Sequence, residues 1–326
     1  MTLHTANPET ILEAASLLQR GGLVAFPTET VYGLGSDALN PAAVARIFEA
    51  KQRPFFDPLI VHVADRFQAA KIAEISEKAS VLMEAFWPGP LTLVMKKKDG
   101  VPDLVTSGLS TVAVRVPAHP VALALLRASG CPVAAPSANP FGFLSPTTAA
   151  HVEDALGSKV DMILDGGACS TGVESTIIDV SCDVSFVLLR PGGIPVEDIE
   201  KITGPLDVSA QNSGKPSAPG QLEQHYAPRT PLEILSIEKI LTDSRLEKAG
   251  VLIWKNPLKP LRTRALEVLS PEGSLIEAAQ NLFAALHRLD ESGSEVILAE
   301  PVPETGLGRA IMDRLRKAAN AGRRQA

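Results

Sequence analysis

Apolar residues recur along this chain with two different periods. Between Pro8 and Gln19 they fall at Ile11, Ala15 and Leu18, the spacing of one helix face, with Asn7 placed to cap the first turn, Pro8 inside it and Gly21 beyond its end. Short runs rich in Val, Leu and Ile predict strands at 23–26, 59–63, 91–95, 111–116, 162–164, 176–180 and 186–189. Helical spacing returns at 42–50, 76–86, 121–129 and 148–156. Helices and strands intermix without strict alternation, which predicts an α/β domain built on a mixed sheet.

The periodicity stops over 203–221, where Gly, Pro, Ser, Asn and Gln dominate, the composition of an extended linker. Beyond it, strands at 232–235, 251–254, 266–269 and 296–299 combine with helices at 237–248, 275–289 and 308–319, the pattern of a smaller doubly wound, Rossmann-like unit. The predicted organisation is therefore a first domain at 1–202, a linker or lid at 203–231 and a C-terminal α/β domain at 232–326.

Charge and composition narrow the function classes. The chain has 326 residues with 31 basic and 37 acidic side chains, a net charge of −6, which disfavours holding nucleic acid by bulk electrostatics. A hydrophobic content of 45% with 21% charged residues is that of a folded chain. No run reaches the ~20 apolar residues of a membrane helix, and residues 1–10 lack the basic start and apolar run of a secretory signal; a cytoplasmic protein is expected. Cys131, Cys169 and Cys182 form no C-x-x-C pair and read as reduced thiols. The end of the chain, from Gly308 onward, is locally basic through Arg309, Arg314, Arg316, Lys317, Arg323 and Arg324. It reads first as a solvated helix face and leaves a weak tRNA contact open.

The common signatures are missing: there is no G-x-x-x-x-G-K-[ST], no complete G-x-G-x-x-G, no H-E-x-x-H and no G-x-S-x-G. Instead, five polar loops follow predicted strands or helices, where ligands sit in open α/β sheets. The first is Pro27-Thr28-Glu29-Thr30-Val31-Tyr32-Gly33-Leu34. The second, Lys51-Gln52-Arg53-Pro54, carries two cations able to straddle a polyphosphate and leads to His62 on a strand. A lone strand His more often serves as a structural hydrogen bonder. Thr111, Ala113 and Arg115 share one strand face, and an Arg there asks for an anion, either an internal carboxylate or that of a substrate. Pro136-Ser137-Ala138-Asn139-Pro140, running on to Ser145-Pro146-Thr147, is a rigid hydroxyl display. Asp165-Gly166-Gly167, Gly172-Val173-Glu174-Ser175-Thr176 and Arg190-Pro191-Gly192-Gly193 complete the set. Together Lys51, Arg53, Arg115 and Arg190 describe an anion-binding pocket suited to ATP and a carboxylated small molecule.

These segments, with Trp87-Pro88-Gly89-Pro90-Leu91-Thr92 between them, resemble the YrdC-like domain of threonylcarbamoyl-AMP synthases, and the tail with His225-Tyr226-Ala227-Pro228 is similar to the two-domain form of that family. The resemblance implies a YrdC-like mixed-sheet domain followed by the smaller α/β domain. It implies a nucleotidyltransferase that condenses L-threonine, bicarbonate and ATP, with Mg²⁺, to threonylcarbamoyl-AMP and pyrophosphate, the product passing to a tRNA threonylcarbamoyltransferase. By motif position, threonine falls to Thr30, His62, Arg115, the backbone of Ala135, and Ser175. ATP falls to Lys51, Arg53, Asp57, Thr111, Ser137, Ser145 and Arg190, with Tyr226 of the linker closing over it and no protein metal ligand assigned. Lys51 and Arg53 carry the catalytic role of stabilising triphosphate charge. Family members often have Asn at the position of Asp57. Two rival classes are a carbamoyltransferase containing a similar domain, for which extra zinc-binding or kinase-like domains are missing, and an RNA-binding factor, which the net charge argues against.

Overall fold

The computed structural model describes residues 2–182, 185–208, 216–222, 225–258 and 260–322 and divides the chain into two compact units. The first comprises Met1–Phe141, Pro146–Ser170 and Glu174–Gln221; the second comprises Leu222–Ala326 with two short segments, Gly142–Ser145 and Thr171–Val173.

In the first unit, the strands among the described residues are β1 (Leu3–Thr5), β2 (Val24–Phe26), β3 (Gly33–Asp37), β4 (Ile60–His62), β5 (Leu91–Lys96), β6 (Thr111–Arg115), β7 (Val133–Ala134), β8 (Met162–Asp165), β9 (Thr176–Asp179), β10 (Val187–Arg190) and β11 (Asp207–Val208). They form one sheet in the order β1-β8-β2-β3-β7-β4-β6-β5-β9-β10-β11. Parallel pairs such as β4 with β6 alternate irregularly with antiparallel ones such as β5 with β6, so the sheet is mixed, as the intermixed pattern predicts. Strand alternation splits its side chains between two faces. Val61, Leu93, Val114 and Ile178 enter the main core, whereas Ile60, Val94, Ala113 and Ile177 form a separate small cluster. His62 and Arg115, two residues along from Ile60 and Ala113, fall on the face of that smaller cluster.

Local sequence explains the helices that frame this sheet. The helix Pro8–Gln19 starts on a reciprocal cap: the Asn7 side chain accepts from the Glu9 and Thr10 N–H groups, and the Asn7 N–H donates to the Thr10 hydroxyl. The helix Pro41–Lys51 begins on Asn40 and Pro41 and is ended by Gln52 in the left-handed region, φ 53°. That reversal leaves Lys51 as the last helical residue and Arg53 as the start of the next loop.

Several elements depart from the sequence pattern. The stretch 27–34 reads as loop, but β3 begins at Gly33. A Cβ on Gly35 would lie 2.7 Å from both Phe26 and Val133, so this strand exists because glycine permits close packing, not because of a branched side chain. The helices Arg66–Ile72, Asp103–Thr106 and Val196–Thr203 and the short strands β1, β7 and β11 carry too few periods to be predicted. The helix predicted at 237–248 is interrupted: Ile237–Thr242 is helical, then the Asp243 carboxylate accepts from the Arg245 N–H at 2.8 Å, a local turn that competes with the helix. The linker predicted at 203–231 holds the end of the helix Val196–Thr203 and β11. Its residues 209–215 and 223–224 lie outside the described residues, and 216–221 group with the first unit.

The second unit carries β12 (Leu232–Ile234), β13 (Gly250–Ile253), β14 (Ala265–Val268) and β15 (Ile297–Ala299), all parallel, in the order β12-β15-β13-β14. Its helix Gly308–Gly322 contains most of the predicted basic end, whose described cations are paired internally. Arg314 and Lys317 are buried against Asp313, Arg316 pairs with Glu304, and Arg309 Nε donates to the Glu304 carbonyl. Arg323 and Arg324 lie outside the described residues. Among the described residues no helix is long and apolar enough to cross a membrane.

Candidate active site

Register brings the first cluster together. In the parallel pairing of β4 with β6, His62 stands beside Arg115. Arg115 is buried and each of its nitrogens is engaged: Nε donates to the Gly89 carbonyl at 3.1 Å, Nη1 to the Thr30 hydroxyl at 2.9 Å, and Nη2 pairs with Glu29 Oε1 at 2.7 Å. The internal anion that the sequence left open is therefore Glu29. Thr30 is itself fixed by Thr28, whose Oγ1 lies 2.8 Å from the Thr30 hydroxyl, donates to the Val31 carbonyl and accepts from the Thr30 and Val31 N–H groups. His62 is buried edge-on to Phe26, and burial, helped by the Arg115 charge, lowers its pKa to about 3. It is a neutral imidazole at neutral pH.

A second cluster forms where the helix Pro41–Lys51 ends. Lys51 is buried, and its Nζ donates to the Ser137 carbonyl at 2.5 Å and to the Asn139 carbonyl, while its own carbonyl accepts from the Phe141 N–H at 2.8 Å. The loop 136–141 is thus wrapped around this one side chain. Burial, with the neighbouring Arg53, pushes the Lys51 ammonium well below its ordinary pKa, and Asp57 offsets part of that effect. Arg53 Nε donates to the Asp57 carbonyl at 3.1 Å; its Nη2 donates to the Pro58 carbonyl and pairs with Asp57 Oδ2, each at 2.8 Å. The Phe141 ring lies 5.8 Å from the guanidinium. Burial raises the Asp57 carboxyl, opposed in order by Arg53, Lys51 and Arg190. Arg53 thus meets the Asp57 carboxylate directly, and the charges of buried Lys51 and Arg190 also act on it.

Arg190 reaches this position through a β-bulge. The antiparallel register of β10 against β9 pairs Leu188 with Ile178 but Arg190 with Ile177, so Leu189 is the extra residue. Strict alternation would put Arg190 and Leu189 on opposite faces. Instead Leu189 packs on the cluster of Ile60, Val94, Ala113 and Ile177, and Arg190 donates to the Ser175 carbonyl through Nε at 3.2 Å and Nη2 at 2.9 Å, and to the Ser175 hydroxyl at 3.2 Å. Ser175 Oγ is 2.7 Å from the Thr92 hydroxyl. The turn after β10 packs so closely that a Cβ on Gly192 would lie 2.3 Å from the Ser175 carbonyl carbon. The linker covers this region: Ala218 is buried in the same cluster, Arg190 Nη1 donates to the Pro219 carbonyl at 3.2 Å, and the Gln221 side chain accepts from the Ser217 and Ala218 N–H groups.

The Ala135 N–H donates to the Ile60 carbonyl at 2.9 Å, beside His62. Thr111 starts β6, half-buried, about 13 Å along the strand from Arg115 by the usual rise per residue. Ser145 and Tyr226 belong to the second unit, where the Ser145 carbonyl lies 3.2 Å from His287 Nε2. Tyr226, buried with a left-handed backbone (φ 65°), stacks near Phe283 with the Arg314 guanidinium 5.0 Å from its ring. The cysteines are free, and burial pushes Cys131 up and Cys169 to about 12, so neither offers a thiolate. Glu29 and Thr92 escaped the sequence reading as individual residues. The signal available for Glu29 was a carboxylate set between two hydroxyls within a buried turn.

Known proteins resemble this chain along both of its units. A family model described as Telomere recombination (Sua5_yciO_yrdC) matches residues 16–192, and one described as Threonylcarbamoyl-AMP synthase, C-terminal domain, matches 194–320. The chain is 47% identical to a threonylcarbamoyl-AMP synthase of Pyrococcus abyssi, over 94% of this chain and 92% of that one. It is 45% identical to that of Bacillus subtilis, over 97% and 94%. A crystal structure of P. abyssi Sua5 complexed with L-threonine superposes with a TM-score of 0.90 at 44% identity, covering 98% of this chain and 97% of that one.

Proposed function

The chain belongs to the threonylcarbamoyl-AMP synthase family in its two-domain form, and from that membership we propose how its buried residues divide the work. The protein condenses L-threonine, bicarbonate and ATP to L-threonylcarbamoyl-AMP and pyrophosphate, for the N6-threonylcarbamoyladenosine modification at position 37 of tRNA. Threonine ammonium and bicarbonate give the carbamate, water and a proton. A carbamate oxygen then forms a bond to the α-phosphorus as the bond to the bridging oxygen breaks and pyrophosphate leaves. This is nucleotidyl transfer, which calls for positioning and charge neutralisation rather than a side-chain nucleophile.

The burial of Lys51, Arg53 and Arg190, basic side chains of one unit that all act on the Asp57 carboxyl, supports the reading, because buried basic groups call for an anion. They receive the triphosphate, with Ser137 held beside them by Lys51 and with Thr111 as a further ATP contact. Arg115 takes the threonine carboxylate, assisted by Thr30, Ser175, neutral His62 and the Ala135 backbone. The Ala135 N–H is already committed to Ile60, so its carbonyl makes that contact. Among the described residues no group of three or more His, Cys, Asp or Glu could hold a metal ion, and Asp57 is committed to Arg53. Mg²⁺ bound together with ATP would supply positive charge at the phosphates. A cytoplasmic site of action and transfer of the product to a tRNA threonylcarbamoyltransferase complete the proposal.

The test is pyrophosphate release by the purified protein with threonine and bicarbonate each supplied or withheld. Release should require both and should be poorly supported by serine; release indifferent to threonine would overturn the assignment. The linker segment at 216–221 is proposed to keep water from the intermediate. Truncation after Lys201 should then raise threonine-independent ATP hydrolysis or lower synthesis, and unchanged kinetics would remove that role.

A further inference from the structure

Asp57 fits poorly as a nucleotide contact, because an ionised carboxylate repels phosphate. It is fully buried, its Oδ2 lies 2.8 Å from Arg53 Nη2, and neither carboxylate oxygen accepts a hydrogen bond. Arg53 from its own loop meets it directly, and the charges of Lys51 at the end of the helix Pro41–Lys51 and of Arg190 at the end of β10 also act on it. The cluster thus holds three cations and one anion, and the anion belongs to the protein.

We propose that Asp57 is an internal counter-anion, standing in the unliganded protein for the negative charge that a nucleotide phosphate brings, so that ATP binding must displace or neutralise it. The proposal rests on the assignment of ATP to this cluster. Without a counter-charge, three cations buried together would strongly destabilise the unliganded fold. With ATP present, the same carboxylate becomes a like charge beside the phosphates. Burial already favours its protonated form, and a neighbouring polyanion favours it further. Proton uptake by Asp57 therefore accompanies ATP binding, and affinity falls as pH rises above the carboxyl's pKa in the free protein.

The experiment is calorimetric titration of the full-length protein with ATP and Mg²⁺, at several pH values and in buffers of different ionisation enthalpy, for wild type and Asp57→Asn. The wild type should take up protons on binding, beyond the uptake of ATP itself. Asp57→Asn should lose that excess and bind ATP about tenfold more tightly at pH 8, the equivalent of one pKa unit, while melting at a lower temperature without ATP. Equal or weaker ATP binding by the variant, or no excess proton uptake by the wild type, overturns the counter-anion role and leaves the ATP site standing. The wild-type measurement decides the matter even if the variant does not fold. Absence of ATP binding by the wild type overturns both.

Discussion

Lys51→Ala is expected to lower threonine-dependent pyrophosphate release by about 10²–10³-fold or more, the usual effect of removing one group that stabilises transition-state charge in a dry site. Two losses coincide. The ammonium no longer faces the triphosphate, and the Ser137 and Asn139 carbonyls lose the donor that shapes the loop 136–141. Arg53→Ala bears mainly on the first, because Arg53 donates to the Asp57 and Pro58 carbonyls and meets the loop 136–141 through the Phe141 ring, while Ser137 and Asn139 keep the Lys51 donor. It should reduce turnover by a similar factor while Ser137 keeps its place. Steady-state kinetics with melting curves check both, and wild-type turnover in either variant with a native melting profile would end that residue's catalytic assignment.

Arg115→Ala should raise the KM for threonine by roughly 30–4000-fold, from a loss of about 2–5 kcal/mol when a buried, hydrogen-bonded charge pair with the substrate is truncated. It should also destabilise the fold by about 3–5 kcal/mol, because Glu29 would be left as a buried charge without its counter-ion. Adding Glu29→Gln should recover much of the melting temperature without restoring threonine affinity. Threonine titrations and thermal melts of the single and double variants provide the check. If Arg115→Ala destabilises the protein yet leaves the threonine KM unchanged, Arg115 serves only the internal pair with Glu29.

The two arginines share a design, in that each is met by a buried carboxylate close in sequence or in space: Asp57 for Arg53 and Glu29 for Arg115. An empty pocket for anions is a pocket full of buried cations, and such a cluster is unfavourable without internal neutralisation.

Much of the fold is readable from local chemistry. The helix Pro8–Gln19 appears with its predicted bounds because Asn7, Pro8 and the apolar spacing act within one turn of each other. The strands around Ile60, Thr111 and Thr176 are readable because branched residues crowd there, and the intermixed order already indicates a mixed sheet. Lys51, Arg53, Arg115 and Arg190 stand out as candidates because cations next to strand ends and rigid loops need an explanation. Their partners do not stand out in the same way. Glu29 lies 86 residues from Arg115 and Pro219 lies 29 from Arg190, so neither pairing has a local signal. The side on which Arg190 points depends on a bulge at Leu189, where the alternating pattern indicates the opposite face. β3 depends on what packs against Gly35, and no residue within the strand announces it. Local periodicity, capping and turn chemistry act over a few residues, and those the amino-acid sequence determined by itself. Which charges meet, which of them are neutralised and which face of the sheet they share are settled by contacts between distant segments, and only the tertiary structure decided them.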